Sequence, residues 1–176
     1  TISGTATVTV TTATLESIAL TPPTPTLAAG TTVPLIATGT YTDDTTRDVT
    51  AASTPTTSAP ATATVSDAAA DKGLVTAVAV GTATVTATVG TISGTTLVTV
   101  SSATLRSIAI EPAAPSIAAG TSVQLAAIGT FSDSSTQVLT TQVLWASGDG
   151  AVVVSNAAGS EGRATGVRVG SATVTA

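Results

Sequence analysis

The sequence predicts an all-β protein made of two β-sandwiches in tandem, and three observations carry that prediction. Apolar and polar residues alternate at a period of two, the whole pattern occurs twice at an offset of ninety residues, and no stretch holds a helical period over two turns. Glycines at positions 30, 39, 73, 81 and 90 punctuate the first copy at intervals suited to short strands and tight turns.

The repeat sets the organisation. Thr14-Leu15-Glu16-Ser17-Ile18-Ala19-Leu20 matches Thr104-Leu105-Arg106-Ser107-Ile108-Ala109-Ile110. The match continues with Leu27-Ala28-Ala29-Gly30-Thr31 against Ile117-Ala118-Ala119-Gly120-Thr121, and with Gly39-Thr40-Tyr41 against Gly129-Thr130-Phe131. Later the offset is eighty-nine: Val65-Ser66 aligns with Val154-Ser155, and residues 81–87 with 170–176, so one loop of the second copy is a residue shorter. Thr1-Ile2-Ser3-Gly4-Thr5 returns as Thr91-Ile92-Ser93-Gly94-Thr95. Residues 1–12 are therefore expected to be the closing strand of a preceding copy, 13–102 a first repeat, and 103–176 a second repeat without its last strand.

Taken in order, Ala6, Val8 and Val10 give the first segment one apolar face, and Val33, Leu35 and Ala37 do the same in the middle of the first copy. From Thr82 to Val89 threonine alternates with Ala or Val without a break, putting Ala83, Val85, Ala87 and Val89 on one side. β-Branched residues dominate, as a half-buried pleated surface favours. The run 68–72 (Ala-Ala-Ala-Asp-Lys) is long enough for a single turn at most. About seven short strands per copy, alternating inward and outward, describe a sandwich.

Composition excludes several function classes. The chain has 176 residues, no His, Cys or Met, and only 9% charged residues, so imidazole bases, thiol nucleophiles and the usual zinc ligands are missing from its chemistry. The net charge of −5 and the scattering of Arg47, Lys72, Arg106, Arg163 and Arg168 argue against nucleic acid and against anionic membranes. Mean hydropathy is high at +0.51, but Ala and Val interleaved with Thr produce it, and no run reaches the ~18 apolar residues that span a bilayer. The opening residues have neither a charged start nor an apolar core, as expected of a mature product or of a window on a longer chain.

A family resemblance rests on the order of several short motifs, found twice. The second copy reads Leu105-x-Ser107-Ile108, then the run 118–125, Gly129-Thr130-Phe131-Ser132-Asp133, Trp145-Ala146-Ser147, Val154-Ser155, Gly162 to Gly166, and Val169 to Val174. This resembles the bacterial immunoglobulin-like domain, group 2, a module of intimin- and invasin-type adhesins and of other surface and phage proteins. The resemblance implies an immunoglobulin-like sandwich and places Trp145 in its core. The first copy departs from the pattern: Ser53-Thr54-Pro55-Thr56-Thr57 has no Trp, and its core is expected to be thin, built of small residues and Tyr41.

Few residues could carry chemistry. Asp43, Asp44 and Asp48 could offer calcium some of the six to eight oxygens it takes, but Asp is also a turn residue, and the second copy keeps only Asp133 there. Glu16 with Glu111, or Asp67 with Asp71, are the pairs a glycosidase would need, yet nothing sets either pair across a cleft. The stretches 148–150 and 159–162 read as turns, Lys72 sits in a turn, and no His is present to activate a hydroxyl. Threonine-rich strand faces could carry sugar or meet an ice-like or polysaccharide surface, though β propensity alone also accounts for them. No catalytic, cofactor or metal residue is assigned, no cofactor is expected, and the chain is not read as an enzyme.

Between the copies the chain runs from Val98 to Leu105 with no Pro and no Gly, which favours restricted bending and a rod. The expected function is therefore structural: the shaft of an extracellular fibre or cell-surface adhesin, its partners neighbouring copies of itself. A glycan- or receptor-binding surface module and a phage virion appendage are the alternatives. Strand 1–12 could complete the second sandwich of a neighbouring unit, or the chain could be one window on a continuous array; both put the same strand in the same place.

Overall fold

Alternating Thr and Val runs become strands wherever one face can be buried. The structure, a computed structural model, describes residues 2–5, 10 and 12–176. In the first repeat the strands are β1 (Leu15–Thr21), β2 (Thr26–Ala28), β3 (Thr32–Pro34), β4 (Ile36–Tyr41), β5 (Thr46–Asp48), β6 (Thr54–Thr57), β7 (Ala63–Val65), β8 (Leu74–Ala77), β9 (Gly81–Val89) and β10 (Ile92–Ser101). The second has β11 (Leu105–Glu111), β12 (Ser122–Gln124), β13 (Ala126–Phe131), β14 (Thr136–Val138), β15 (Ala146–Ser147), β16 (Val152–Val154), β17 (Arg163–Gly166) and β18 (Val174–Thr175). The protein is all-β, and among the described residues the one helical element is a short 3-10 turn at Thr50–Ala52. It divides into two compact units, Thr1–Thr26 with Thr32–Val100 and Leu27–Thr31 with Ser101–Ala176.

In the first repeat β1-β4-β5 and β3-β8-β7 are antiparallel three-stranded sheets, and β2-β10-β9-β6 is a four-stranded one. β3 and β4 are successive parts of one run broken at Leu35, whose N–H instead meets the Gly73 carbonyl at 2.9 Å. The core is made by the inward residues of both layers: Ile18, Leu20, Ala37 and Val49 pack with Ala87. Ala83 and Val85 on β9, and Val98 and Val100 on β10, are buried beside them. No fully buried side chain here exceeds Val in size. Tyr41 does not join this core, contrary to expectation. It is half-buried, with the Arg47 guanidinium 5.7 Å from its ring centre. Its counterpart Phe131 is buried.

The second unit repeats the plan as β11-β13-β14, β12-β17-β16 and β15-β18. Both first strands carry the same bulge, which leaves Glu16 and Arg106 as the extra residues against β4 and β13. β4 and β13 each carry a buried glycine, Gly39 and Gly129, because leucines cross it. A Cβ at Gly129 would stand 2.5 Å from Leu139 Cδ1 and 2.8 Å from Leu105 Cδ1, and one at Gly39 would stand 2.6 Å from Leu15 Cδ1.

Of the closing segment expected at 1–12, Ala6 and Val8 lie outside the described residues. Residues 2–5, 10 and 12 carry no strand, and Ile2 and Val10 are exposed.

Candidate interaction surfaces

The acidic loop of the first unit is built as a hairpin turn. Asp43 Oδ1 accepts the Thr45 N–H at 3.2 Å and the Thr45 hydroxyl at 2.6 Å, while Asp44 takes the left-handed conformation at φ +60°. In the second unit Asp133 repeats both bonds with Ser135, at 3.0 and 2.6 Å, and Ser134 takes φ +66°. Asp48 serves a different purpose. Its Oδ1 accepts the Thr50 N–H at 2.8 Å, and the Thr50 hydroxyl oxygen in turn accepts the Ala37 N–H at 2.8 Å. The Thr50 hydroxyl and then the Thr50 amide hold the Asp48 carboxyl below its ordinary pKa, and Ser135 does the same for Asp133 by hydroxyl and then amide. Among the described residues no three His, Cys, Asp or Glu side chains converge as metal ligands would.

The remaining candidates are placed as follows. Asp67 pairs with Lys72 Nζ at 2.8 Å, which also donates to the Ser53 carbonyl at 3.0 Å, and Asp71 accepts the Ser66 hydroxyl at 2.7 Å. Glu16 and Glu111 are exposed, one in each unit. Asp149 caps its turn through the Ala151 N–H at 2.7 Å and pairs with Arg168 at 2.9 Å, and Glu161 accepts the Gly159 N–H at 2.9 Å. Trp145 is 2% exposed, its indole N–H donating to the Thr140 carbonyl at 2.9 Å. Asn156 clamps its backbone on both sides, accepting the Trp145 N–H at 2.7 Å and donating to the Trp145 carbonyl at 2.9 Å.

Two surfaces remain that could meet a partner. The first is the outward face of β6, β9 and β10. Cross-strand register aligns Thr54, Thr88 and Ser93 in one row and Thr56, Thr86 and Thr95 in the next. Rows in such a sheet lie roughly 6–7 Å apart along the strands, with ~4.8 Å between strands, so the face is a charge-free lattice of hydroxyls and methyls. The threonines are visible in the sequence, but their alignment across strands exists only in the registered sheet.

The second is a groove in the second unit. Its walls are residues 110–117 on one side and 172–174 on the other, its floor is Val123, Leu125, Val152 and Ala164, and its volume is about 350 Å³. A further hollow of about 590 Å³ continues it between residues 115–119 and 168–172. In the first unit the matching space is filled by β10. There the Thr99 N–H reaches the Pro25 carbonyl at 2.9 Å, and Val98 and Val100 are buried. Among the described residues the second unit has no counterpart of β10. Accordingly Ile18 and Leu20 are buried in the first unit, whereas their counterparts Ile108 and Ile110 are half-exposed.

Comparison with known proteins joins these features to a family. The family model for the bacterial Ig-like domain (group 2) matches residues 14–100 and again 104–176. The chain belongs to that family. Its sequence is 41% identical over 174 residues to Ice-binding protein 1 of Shewanella frigidimarina (strain NCIMB 400), covering 99% of this chain. The chain spans 19% of that relative's length. Among solved structures it is similar to the S-layer protein rSbsC(31-844), with a TM-score of 0.58 and 22% identity over 96% of this chain and 22% of that one. Domains 5-6 of the S-layer protein SbsC are similar at a TM-score of 0.55 and 21% identity, covering 92% of this chain and 90% of theirs. The likeness to the two S-layer structures is one of fold.

Proposed function

We propose that this chain is a non-catalytic structural repeat of an extracellular or cell-surface protein, a pair of Ig-like units that adds length to a fibre or adhesin shaft, with neighbouring copies as its partners. The observation that carries the reading is the tandem itself: the same sandwich built twice, with three residues between β10 and β11. Asp43, Asp48, Asp67 and Asp71 support it, because their carboxylates are engaged in turns and a surface ion pair. The S-layer likeness and the greater length of the ice-binding relative, of which this chain spans 19%, fit a module used at a cell surface. Antibodies raised against the chain test this on its native source. They are expected to label intact cells or shed fibres, and labelling only after lysis would overturn the reading.

A second reading is favoured by the threonine lattice on β6, β9 and β10 together with the name of the relative: a surface-binding module whose flat hydroxyl face meets an ordered surface such as ice or a crystalline glycan. Ice-affinity partition of the purified chain separates the two. Retention in the ice fraction that is lost in Thr86→Lys supports the binding module, and exclusion from ice together with no retention on insoluble polysaccharide leaves the spacer.

A further inference from the structure

β10 breaks its own pattern at one position. Its inward residues are Gly94, Thr96, Val98 and Val100, all buried, and an apolar face of period two has no need of the Thr96 hydroxyl. The partner of that hydroxyl lies on the segment that follows β1. Thr96 Oγ1 accepts the Thr24 N–H at 3.0 Å, and further along β10 the Thr99 N–H donates to the Pro25 carbonyl at 2.9 Å. Thr24 itself holds φ at +82°, in the left-handed region, although it is β-branched and precedes Pro25. Such a conformation persists only where its surroundings hold it, and here two bonds to β10 hold Thr24 and the residue after it.

These contacts run in one direction. Ile18 lies against Gly94, where a Cβ would overlap the Ile18 carbonyl oxygen; Thr24 is bonded to Thr96, and Pro25 to Thr99. The numbers rise together on both sides, so residues 18–25 lie parallel to residues 94–99. In the first repeat the chain enters ahead of β1 and leaves after β10. Drawing residues 12 and 102 apart therefore slides the two segments lengthwise past each other, and the contacts of the seam resist together. Ends drawn from one pole would instead open them one at a time.

We propose that the seam between residues 18–25 and β10 is a force clamp, through which the first repeat resists tension along the chain. Gly94 lets the two segments approach, and the Thr96 hydroxyl stops them sliding by holding the strained turn at Thr24. The inference rests on the reading of the chain as a spacer, and it deepens that reading by naming the contacts that carry the pull.

The chain has no Cys, so one pair of introduced thiols fixes where force is applied. The experiment is constant-force spectroscopy of the full 176-residue chain held through Thr12→Cys and Ser102→Cys, both exposed positions outside the seam. In that background Thr96→Val keeps the shape of the side chain and removes the acceptor. It is expected to unfold the first repeat at least about fivefold faster than its parent, the factor that one net hydrogen bond broken at the barrier supplies. Thr96→Ser keeps the oxygen and is expected to stay within about twofold of the parent. Thr50→Val removes the same kind of bond away from the seam, where Thr50 Oγ1 accepts the Ala37 N–H. It is expected to lower the melting temperature as Thr96→Val does, yet to leave the rate under force within about twofold of the parent.

A Thr96→Val chain that unfolds under force like its parent, or a Thr50→Val chain accelerated as much as Thr96→Val, would overturn the clamp. A second pair of handles, Thr12→Cys with Ser93→Cys, pulls the unsubstituted seam from one end. That pair is expected to open the first repeat at lower force, and equal resistance through both pairs would also overturn the clamp. Loss of the clamp in a chain that antibodies label on intact cells leaves the spacer reading standing. An intact clamp in a chain labelled only after lysis overturns the spacer reading alone.

Discussion

The indole of Trp145 lies over the bare Cα of Gly162. A Cβ at that position would stand 2.8 Å from Trp145 Cζ2 and 2.6 Å from the Leu125 carbonyl oxygen, and Gly162 also holds φ at +74°. Two independent demands, space and backbone conformation, thus select glycine. Gly162→Ala is expected to destabilise the second unit by about 2–4 kcal/mol, combining left-handed strain with overpacking. Trp145 is the chain's single tryptophan, so its fluorescence during urea unfolding reads that unit selectively. A midpoint equal to wild type would contradict the packing argument.

The Asp43 loop separates a turn from a metal site. Asn can accept the same Thr45 amide and hydroxyl bonds, so Asp43→Asn is expected to melt close to wild type. Asp43→Ala is expected to lose about 1 kcal/mol, the net worth of such bonds. Calorimetry is expected to give each of the three proteins the same melting temperature in millimolar calcium as in chelator. A rise with calcium in wild type that Asp43→Asn abolishes would restore the metal reading.

What was legible in the sequence was whatever repeats or alternates. The match of Thr14–Leu20 to Thr104–Ile110 and the unbroken Thr/Ala/Val alternation at 82–89 lead directly to paired strands, because period two has one physical meaning on a half-buried sheet. The fate of Tyr41 was not legible. It aligns with buried Phe131, but its hydroxyl and the facing Arg47 keep it at the edge, where a cation can stack on the ring. The two candidate surfaces were partly legible. Threonines and a missing closing segment can be counted in one dimension, but cross-strand rows and the floor of a groove exist only once the strands are registered.

Gln137 presents a local conflict. Its Nε2 and Oε1 are buried with no hydrogen-bond partner among the described residues, and a buried amide left unpaired costs about 1–3 kcal/mol. Its counterpart in the first unit is Arg47, which reaches the solvent-exposed side of Tyr41 and meets no such penalty. Gln137→Met keeps the length and flexibility of the side chain and removes the unpaired groups. It is expected to raise the stability of the second unit by about 1 kcal/mol, read as an upward shift of the Trp145 fluorescence midpoint. A fall in that midpoint would show that the amide is satisfied in solution.

Acid should weaken the first unit through Asp48. Its carboxyl is held below the ordinary value by the Thr50 hydroxyl and amide, so the folded state binds its proton more weakly than the unfolded chain does. A group of that sign contributes stability that is complete above the ordinary carboxylate range near ~3.9 and disappears as pH falls through the lowered folded-state value. Thr50 also accepts the Ala37 N–H at 2.8 Å, so the charge steadies a bond into β4 as well as its own turn. Asp48→Asn is therefore expected to melt below wild type at pH 6, with the gap closing as the buffer is taken down towards pH 2.5. Melting curves of the two proteins across that range check it, and a gap that stays constant with pH would show that the hydrogen-bond geometry rather than the carboxylate charge carries the effect.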